Sequence, residues 1–187
     1  DSVYSPTRTF CENILKQFKV NIKYFHPTEK INNFEKLINK RTKLIYLESP
    51  GTATFDIIDI PYITKIAKKN NLLPKVLISV HFAGQPTEQE KIWKLSKKYN
   101  FKIIEDASHS LGSSRNKQSI GNCKWSSLTV FSFHPVKIIT TAEGGMITTN
   151  SKSLQKKLLQ LRSHGIERYK SISLKDFRFY DQIGLGY

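Results

Sequence analysis

PKVLISVHFAGQPTEQEKIWKLSKKYNFKIIED, Pro74 to Asp106, decides the fold. Lys75–His81 (KVLISVH) is a run of β-branched and apolar residues that ends in a Gly/Pro turn, and it reads as a strand. Thr87 and Glu90 stand three apart, the spacing of a capping box, ahead of Ile92, Leu95 and Tyr99 on one helical face. Phe101–Glu105 then reads as a second strand. A strand, a helix and a strand in succession form a crossover unit, which sets the two strands parallel.

The pattern extends in both directions. Upstream, Arg8–Lys19 carries Phe10, Cys11, Ile14, Leu15 and Phe18 at helical spacing. Val20–Phe25 reads as a strand, Phe34–Ile38 as a short amphipathic helix, and Lys43–Glu48 (KLIYLE) as a strand entering the turn Ser49-Pro50-Gly51. Asp59 caps a helix with Pro61 in its first turn and a buried stripe of Ile60, Ile63, Ile66 and Ala67. Downstream, the loop Arg115–Lys124 leads to a strand at Ser127–Phe133. Gly145–Thr149 is a further strand, and Ser153–Arg162 is a helix turning Leu154, Leu158 and Leu161 inward and closing near Gly165. The last twenty residues show no clear period. The expected fold is α/β with three layers: a mainly parallel sheet covered by helices.

Composition removes several classes of function. The chain has 187 residues, 39% of them hydrophobic, and no apolar run long enough to span a bilayer or to serve as a signal sequence. A cytoplasmic protein without a membrane partner is the expectation. Cys11 and Cys123 lie far apart without metal-ligand spacing, so neither a disulfide framework nor a metal site is expected. The net charge of +15 comes mostly from lysines scattered along polar helix faces, with no basic run interleaved with stacking aromatics. Nucleic acid is therefore not the expected partner.

One stretch carries the chemistry. Phe131–Gly145 (FSFHPVKIITTAEGG) puts Ser132 and Lys137 five residues apart, between an apolar strand and a glycine pair. A lysine in such surroundings suits a Schiff base to an aldehyde cofactor, and a nearby hydroxyl suits its phosphate. Pyridoxal phosphate also requires a carboxylate to keep its ring nitrogen protonated. Asp106 follows the strand KIIE at a carboxyl end, where open α/β sheets place ligands, although an aspartate there also reads as a helix N-cap. Glu105 precedes it, and strand alternation turns only one of the two toward that site. His109, three residues on and on one helical face with Asp106, suits a place beside the carboxylate or the ring, and equally an ordinary surface position.

From about Leu73 onward, the runs VHFAGQP, KIIEDASHSLGS, FSFHPVKIITTAEGGMITTN and LRSHGI closely resemble the DegT-type sugar-nucleotide aminotransferases, in particular those making UDP-4-amino-4,6-dideoxy sugars for cell-surface polysaccharide. The resemblance implies the aspartate-aminotransferase fold, that is, fold type I of the pyridoxal-phosphate enzymes, with part of its large domain present here. It makes Lys137 the Schiff-base lysine, Asp106 the partner of the pyridinium nitrogen, Ser132 a phosphate ligand and His109 a neighbour of the ring. It also implies glutamate as amino donor, a 4-keto sugar on a nucleotide as acceptor, and a homodimer with shared sites.

Residues 1–71 resemble a different group, cystathionine β-lyase, through DSVYSPTRTFCENILKQF, FHPT and TKLIYLESPGT. In that resemblance Tyr4 is the aromatic residue stacked on the cofactor ring. The chain then divides into a lyase-like part, 1–71, and an aminotransferase-like part, 72–187. The division accounts for a partial repeat: TKLIYLESPGT with a helix ending KKNN, then PKVLISVHFAGQP with a helix ending KKYN. With Asp1 first, its only methionine at Met146, and Tyr187 last, the chain reads as a piece of a longer one. By resemblance it lacks the phosphate-binding turn and the small domain. Amino transfer to a nucleotide-linked keto sugar is the leading expectation. Carbon–sulfur lyase activity on cystathionine and a non-enzymatic chimeric remnant are the alternatives.

Overall fold

Residues 2–27, 32–167 and 181–186 are described by the computed structural model, and the chain separates into two units, Asp1–Pro74 and Lys75–Tyr187. In the first, Pro6 opens the helix α1 (Ser5–Phe10), which continues as a π-helical segment, Cys11–Leu15. After α2 (Asn32–Leu37), the Asp59 side chain accepts the Tyr62 N–H at 3.0 Å and so caps α3 (Ile60–Lys69). Ile63, Ile66 and Ala67 are buried as their spacing requires, whereas Ile60 is exposed. Its place at the first turn leaves it outside the stripe that faces the core.

Neither Val20–Phe25 nor Lys43–Glu48 forms a strand, which corrects the expectation for this unit. Their alternation survives as packing. Phe25, Ile45 and Leu47 lie against the core of Phe34, Ile58, Ile63 and Ile66, while Leu44 and Tyr46 point to solvent. Phe25 meets Phe34 edge-on at 4.8 Å. A strand is defined by its ladder partner, and here the apolar side chains find a core without one. The first half of the partial repeat is thus an irregular segment followed by a helix, unlike the second.

The second unit holds a four-stranded sheet in the order β1 (Val76–Val80), β2 (Lys102–Asp106), β5 (Leu128–Ser132), β6 (Gly145–Thr148). β1 and β5 both run parallel to β2, with Val80 opposite Asp106 and Asp106 opposite Val130. β6 is antiparallel to β5 and pairs Gly145 with Ser132. The fold is a mainly parallel α/β sheet with helices. Two short ladders accompany it: β3 (Ser114–Arg115) with β4 (Gln118–Ser119), and β7 (Ile166–Glu167) with β8 (Asp181–Gln182).

α4 (Gln89–Tyr99) connects β1 to β2 and ends on Asn100 in the left-handed conformation. Its N-cap is Glu88 and no side chain caps it, so the expected Thr87/Glu90 box does not form. The Thr87 N–H is used elsewhere, as shown below. The inward residues of α4 are Gln89 and Ser96, and Leu95 and Tyr99 are exposed, contrary to the sequence reading. Trp93 and Trp125, with ring centres 5.0 Å apart, bring α4 to the segment before β5. α5 (Lys152–Arg162) is capped by Ser151, whose Oγ accepts the Leu154 N–H, and it half-buries Leu154, Leu158 and Leu161. Much of the twenty-residue tail lies outside the described residues.

Candidate active site

Alternation along β2 and β5 sorts the polar residues onto two faces. On one face Ile103, Glu105, Thr129 and Phe131 are all buried. On the other, Ile104, Asp106, Leu128, Val130 and Ser132 are half-buried. The Thr129 hydroxyl donating to Glu105 Oε1 at 3.4 Å confirms the pairing of the closed face. Asp106 and Ser132 consequently share the open face, at the carboxyl ends of adjacent parallel strands, where α/β sheets build ligand sites.

Asp106 Oδ1 accepts the Ser108 N–H at 3.0 Å, which orients the carboxylate and leaves Oδ2 as an acceptor for a ligand. Residues 107–113 do not continue as a helix. They form two successive turns, with Ser110 N–H donating to Ala107 O and Ser113 N–H to Ser110 O. His109 therefore owes its place to a neighbouring loop and not to a helical face shared with Asp106. Its Nδ1 accepts the Ala83 N–H at 3.4 Å, and its ring meets Phe82 edge-on at 5.7 Å.

Ser132 Oγ accepts the His134 N–H at 3.4 Å. The chain then turns, with Lys137 N–H donating to His134 O, and Phe133 ties the loop shut through Gly144 and Thr141. Lys137 is half-buried in this loop, five residues past the strand end. Its apolar neighbours Val136, Ile138 and Ile139 are exposed, so the stretch read as an apolar setting presents those side chains outward. Tyr4 belongs to the first unit. It precedes α1, is half exposed, and gives its N–H to Glu48 Oε2 at 3.0 Å.

The sequence reading missed the closed-face pair of His81 and Glu105. His81 is fully buried, its Nδ1 accepts the Thr87 N–H at 3.0 Å, and its Nε2 lies 2.9 Å from Glu105 Oε2. Because Nδ1 accepts, the proton sits on Nε2 and is donated to the carboxylate. Burial raises the Glu105 pKa, but the His81, Ser126 and Gln89 side chains outweigh it and leave the group below the usual glutamate range. The signal was a histidine closing an apolar strand ahead of a Gly/Pro turn, together with the alternation that sets Glu105 opposite Asp106.

Comparisons with known proteins identify the family. The profile of the DegT/DnrJ/EryC1/StrS aminotransferase family matches residues 28–187. The chain belongs to that family. The match begins well before position 71 and runs across it. A UDP-4-amino-4,6-dideoxy-N-acetyl-beta-L-altrosamine transaminase of Campylobacter jejuni is 45% identical over 108 residues, 58% of this chain and 27% of that protein. Helicobacter pylori PseC, an aminotransferase involved in pseudoaminic acid biosynthesis, superimposes with a TM-score of 0.56 at 28% identity, covering 74% of this chain and 40% of that one. The putative sugar aminotransferase Spr1654 of Streptococcus pneumoniae matches in its PMP form with a TM-score of 0.54 at 25% identity, covering 70% of this chain and 37% of that one. It also matches in its PLP form.

This chain therefore spans well under half of each relative, and pyridoxal phosphate is the cofactor of the family. The donor set fits it: a half-buried carboxylate with one oxygen already oriented, a hydroxyl on the same face, and an amine in the loop that follows. Among the described residues no cluster of His, Cys, Asp and Glu is arranged to hold a metal ion, and no helix is long and apolar enough to cross a membrane.

Proposed function

We propose that this chain carries the cofactor-binding centre of an aminotransferase that transfers an amino group from glutamate to a 4-keto sugar held on a nucleotide. The observation that supports it most is that Asp106 and Ser132 share one face at the carboxyl ends of paired strands, with Lys137 in the next loop. Pyridoxal phosphate, when bound, would supply an aldehyde carbon to carry the amino group and a ring to take up the electron pair released when the donor's α-carbon loses its proton.

The chain's own residues do the rest. Asp106 Oδ2 would hold the proton on the ring nitrogen, and the Ser108 N–H on Oδ1 keeps the carboxylate oriented. Ser132 Oγ donates to the phosphate. Lys137 Nζ would take up the proton that the donor's α-carbon loses and, in the second half of the reaction, would deliver a proton to the sugar carbon that gains the amine. His109, held by Ala83 and Phe82, would be a neighbour of the ring. The reading further implies a cytoplasmic homodimer that shares its sites.

The test is direct. The purified chain, supplied with pyridoxal phosphate, nitrogen-15 glutamate and a UDP-linked 4-keto-6-deoxy sugar, should yield a nitrogen-15 sugar amine by mass spectrometry, and the Lys137→Ala variant should yield none. Amine formation that survives Lys137→Ala would refute the assignment.

A further inference from the structure

The side chains of the His81–Glu105 pair touch no side chain that the proposed chemistry uses, yet hydrogen bonds of the backbone and of the loop after His81 lead from the pair to Asp106 and His109. The His81 N–H donates to Asp106 O at 2.9 Å, so His81 holds the Glu105 side chain with its ring and the carbonyl of Asp106 with its backbone. The Thr87 N–H on His81 Nδ1 closes the loop 82–86. That loop in turn holds the segment after Asp106: Ala83 N–H donates to His109 Nδ1, Gly84 O accepts the Ser113 hydroxyl at 3.0 Å, and Pro86 O accepts from Arg115 Nη1 at 3.0 Å.

We propose that His81 and Glu105 are positioning residues, a closed-face histidine–carboxylate pair that sets the direction of the Asp106 carboxylate and the seat of His109 on the open face. The proposal deepens the cofactor-binding reading above and rests on it for its meaning in catalysis. A buried polar pair has only one arrangement that satisfies both partners. The Thr129 hydroxyl donates to Glu105 Oε1 as well, so the carboxylate is held from β5 in addition to His81. Turning Glu105 would rotate the peptide that carries Asp106, and freeing His81 would release the loop that seats His109. The fixed histidine tautomer and the dry surroundings serve the rigidity that a cofactor site needs.

The experiment compares the full chain with Glu105→Ala, Glu105→Gln and Ile103→Val. Ile103 is buried on the same face, so its truncation reports lost packing alone. Nitrogen-15 histidine and carbon-13 carboxyl NMR on the cofactor-free protein reads His109 and Asp106 directly, and a pyridoxal phosphate titration follows the visible absorption with pH. Glu105→Ala should move the His109 and Asp106 resonances, weaken cofactor binding by about tenfold or more, and shift the pH midpoint of the bound chromophore. Glu105→Gln, which keeps an oxygen for His81, should recover the resonances. Ile103→Val should leave all three readouts in place while lowering the denaturation midpoint. Unmoved Asp106 and His109 resonances in Glu105→Ala, or equal movement in Ile103→Val, would overturn the proposal. If the wild-type chain takes up no pyridoxal phosphate, the cofactor reading falls, and the cofactor-free resonances still decide whether the pair positions its neighbours.

Discussion

Glu105 and Asp106 are consecutive in the chain and stand on opposite faces of the sheet. Glu105 is 4% exposed and bonded to His81 at 2.9 Å, while Asp106 is half-buried on the open face with Ser132. Two adjacent acids therefore do different work, and substitution separates them. Asp106→Asn preserves shape but cannot hold the ring nitrogen protonated. It should lower amino transfer by about a hundredfold or more, with little change in the denaturation midpoint. Steady-state rates and urea denaturation of the same preparation check this.

Glu105 gives a pH dependence with a defined sign. Its carboxyl is held below its usual value in the folded chain, so it stays ionised there at pH values where the unfolded chain has begun to take up protons. The stabilisation is present above the unfolded-state value, near 4.3, and is lost as pH falls toward the folded value. Urea denaturation of the wild type and Glu105→Gln between neutral pH and pH ~3 should show a gap that narrows at the acid end. A gap that widens on acidification would contradict the assignment.

Gly121 takes φ +94°, and a Cβ there would lie 2.7 Å from Phe131 Cζ, a ring buried on the closed face. Both the backbone and the contact oppose a side chain. Gly121→Ala should cost about 1–3 kcal/mol in the second unit, read as a lower denaturation midpoint.

In the first unit the cap and the core of α3 can be weighed separately. Asp59→Ala removes the acceptor for the Tyr62 N–H and should cost about 1 kcal/mol. Ile66→Ala, at a position 2% exposed, should cost about 2–5 kcal/mol. Equal losses from the two would mean that the Ile66 site collapses around the cavity.

Legibility in the sequence followed how local each signal was. The segment from Pro74 to Asp106 was readable as strand, helix and strand because strand and helix periods change over at a Gly/Pro turn, and alternation along β2 placed Glu105 and Asp106 on opposite faces. The segments KLIYLE and VNIKYF carry the same strand-like composition, but whether a ladder partner exists is a property of the tertiary fold. Thr87 and Glu90 met the capping pattern, yet the Thr87 N–H is held by a histidine six residues earlier in the chain. Glu105 and His81 are 24 residues apart, and only the register of β1 on β2 brings them together.

The central claim is that Lys137 is the amine that holds the cofactor. Incubating the full chain with pyridoxal phosphate, reducing with borohydride and mapping the modified peptide tests it most directly. The account predicts one stoichiometric label, on Lys137, that disappears in Lys137→Ala. A label on another lysine, or no stoichiometric label at all, would contradict it.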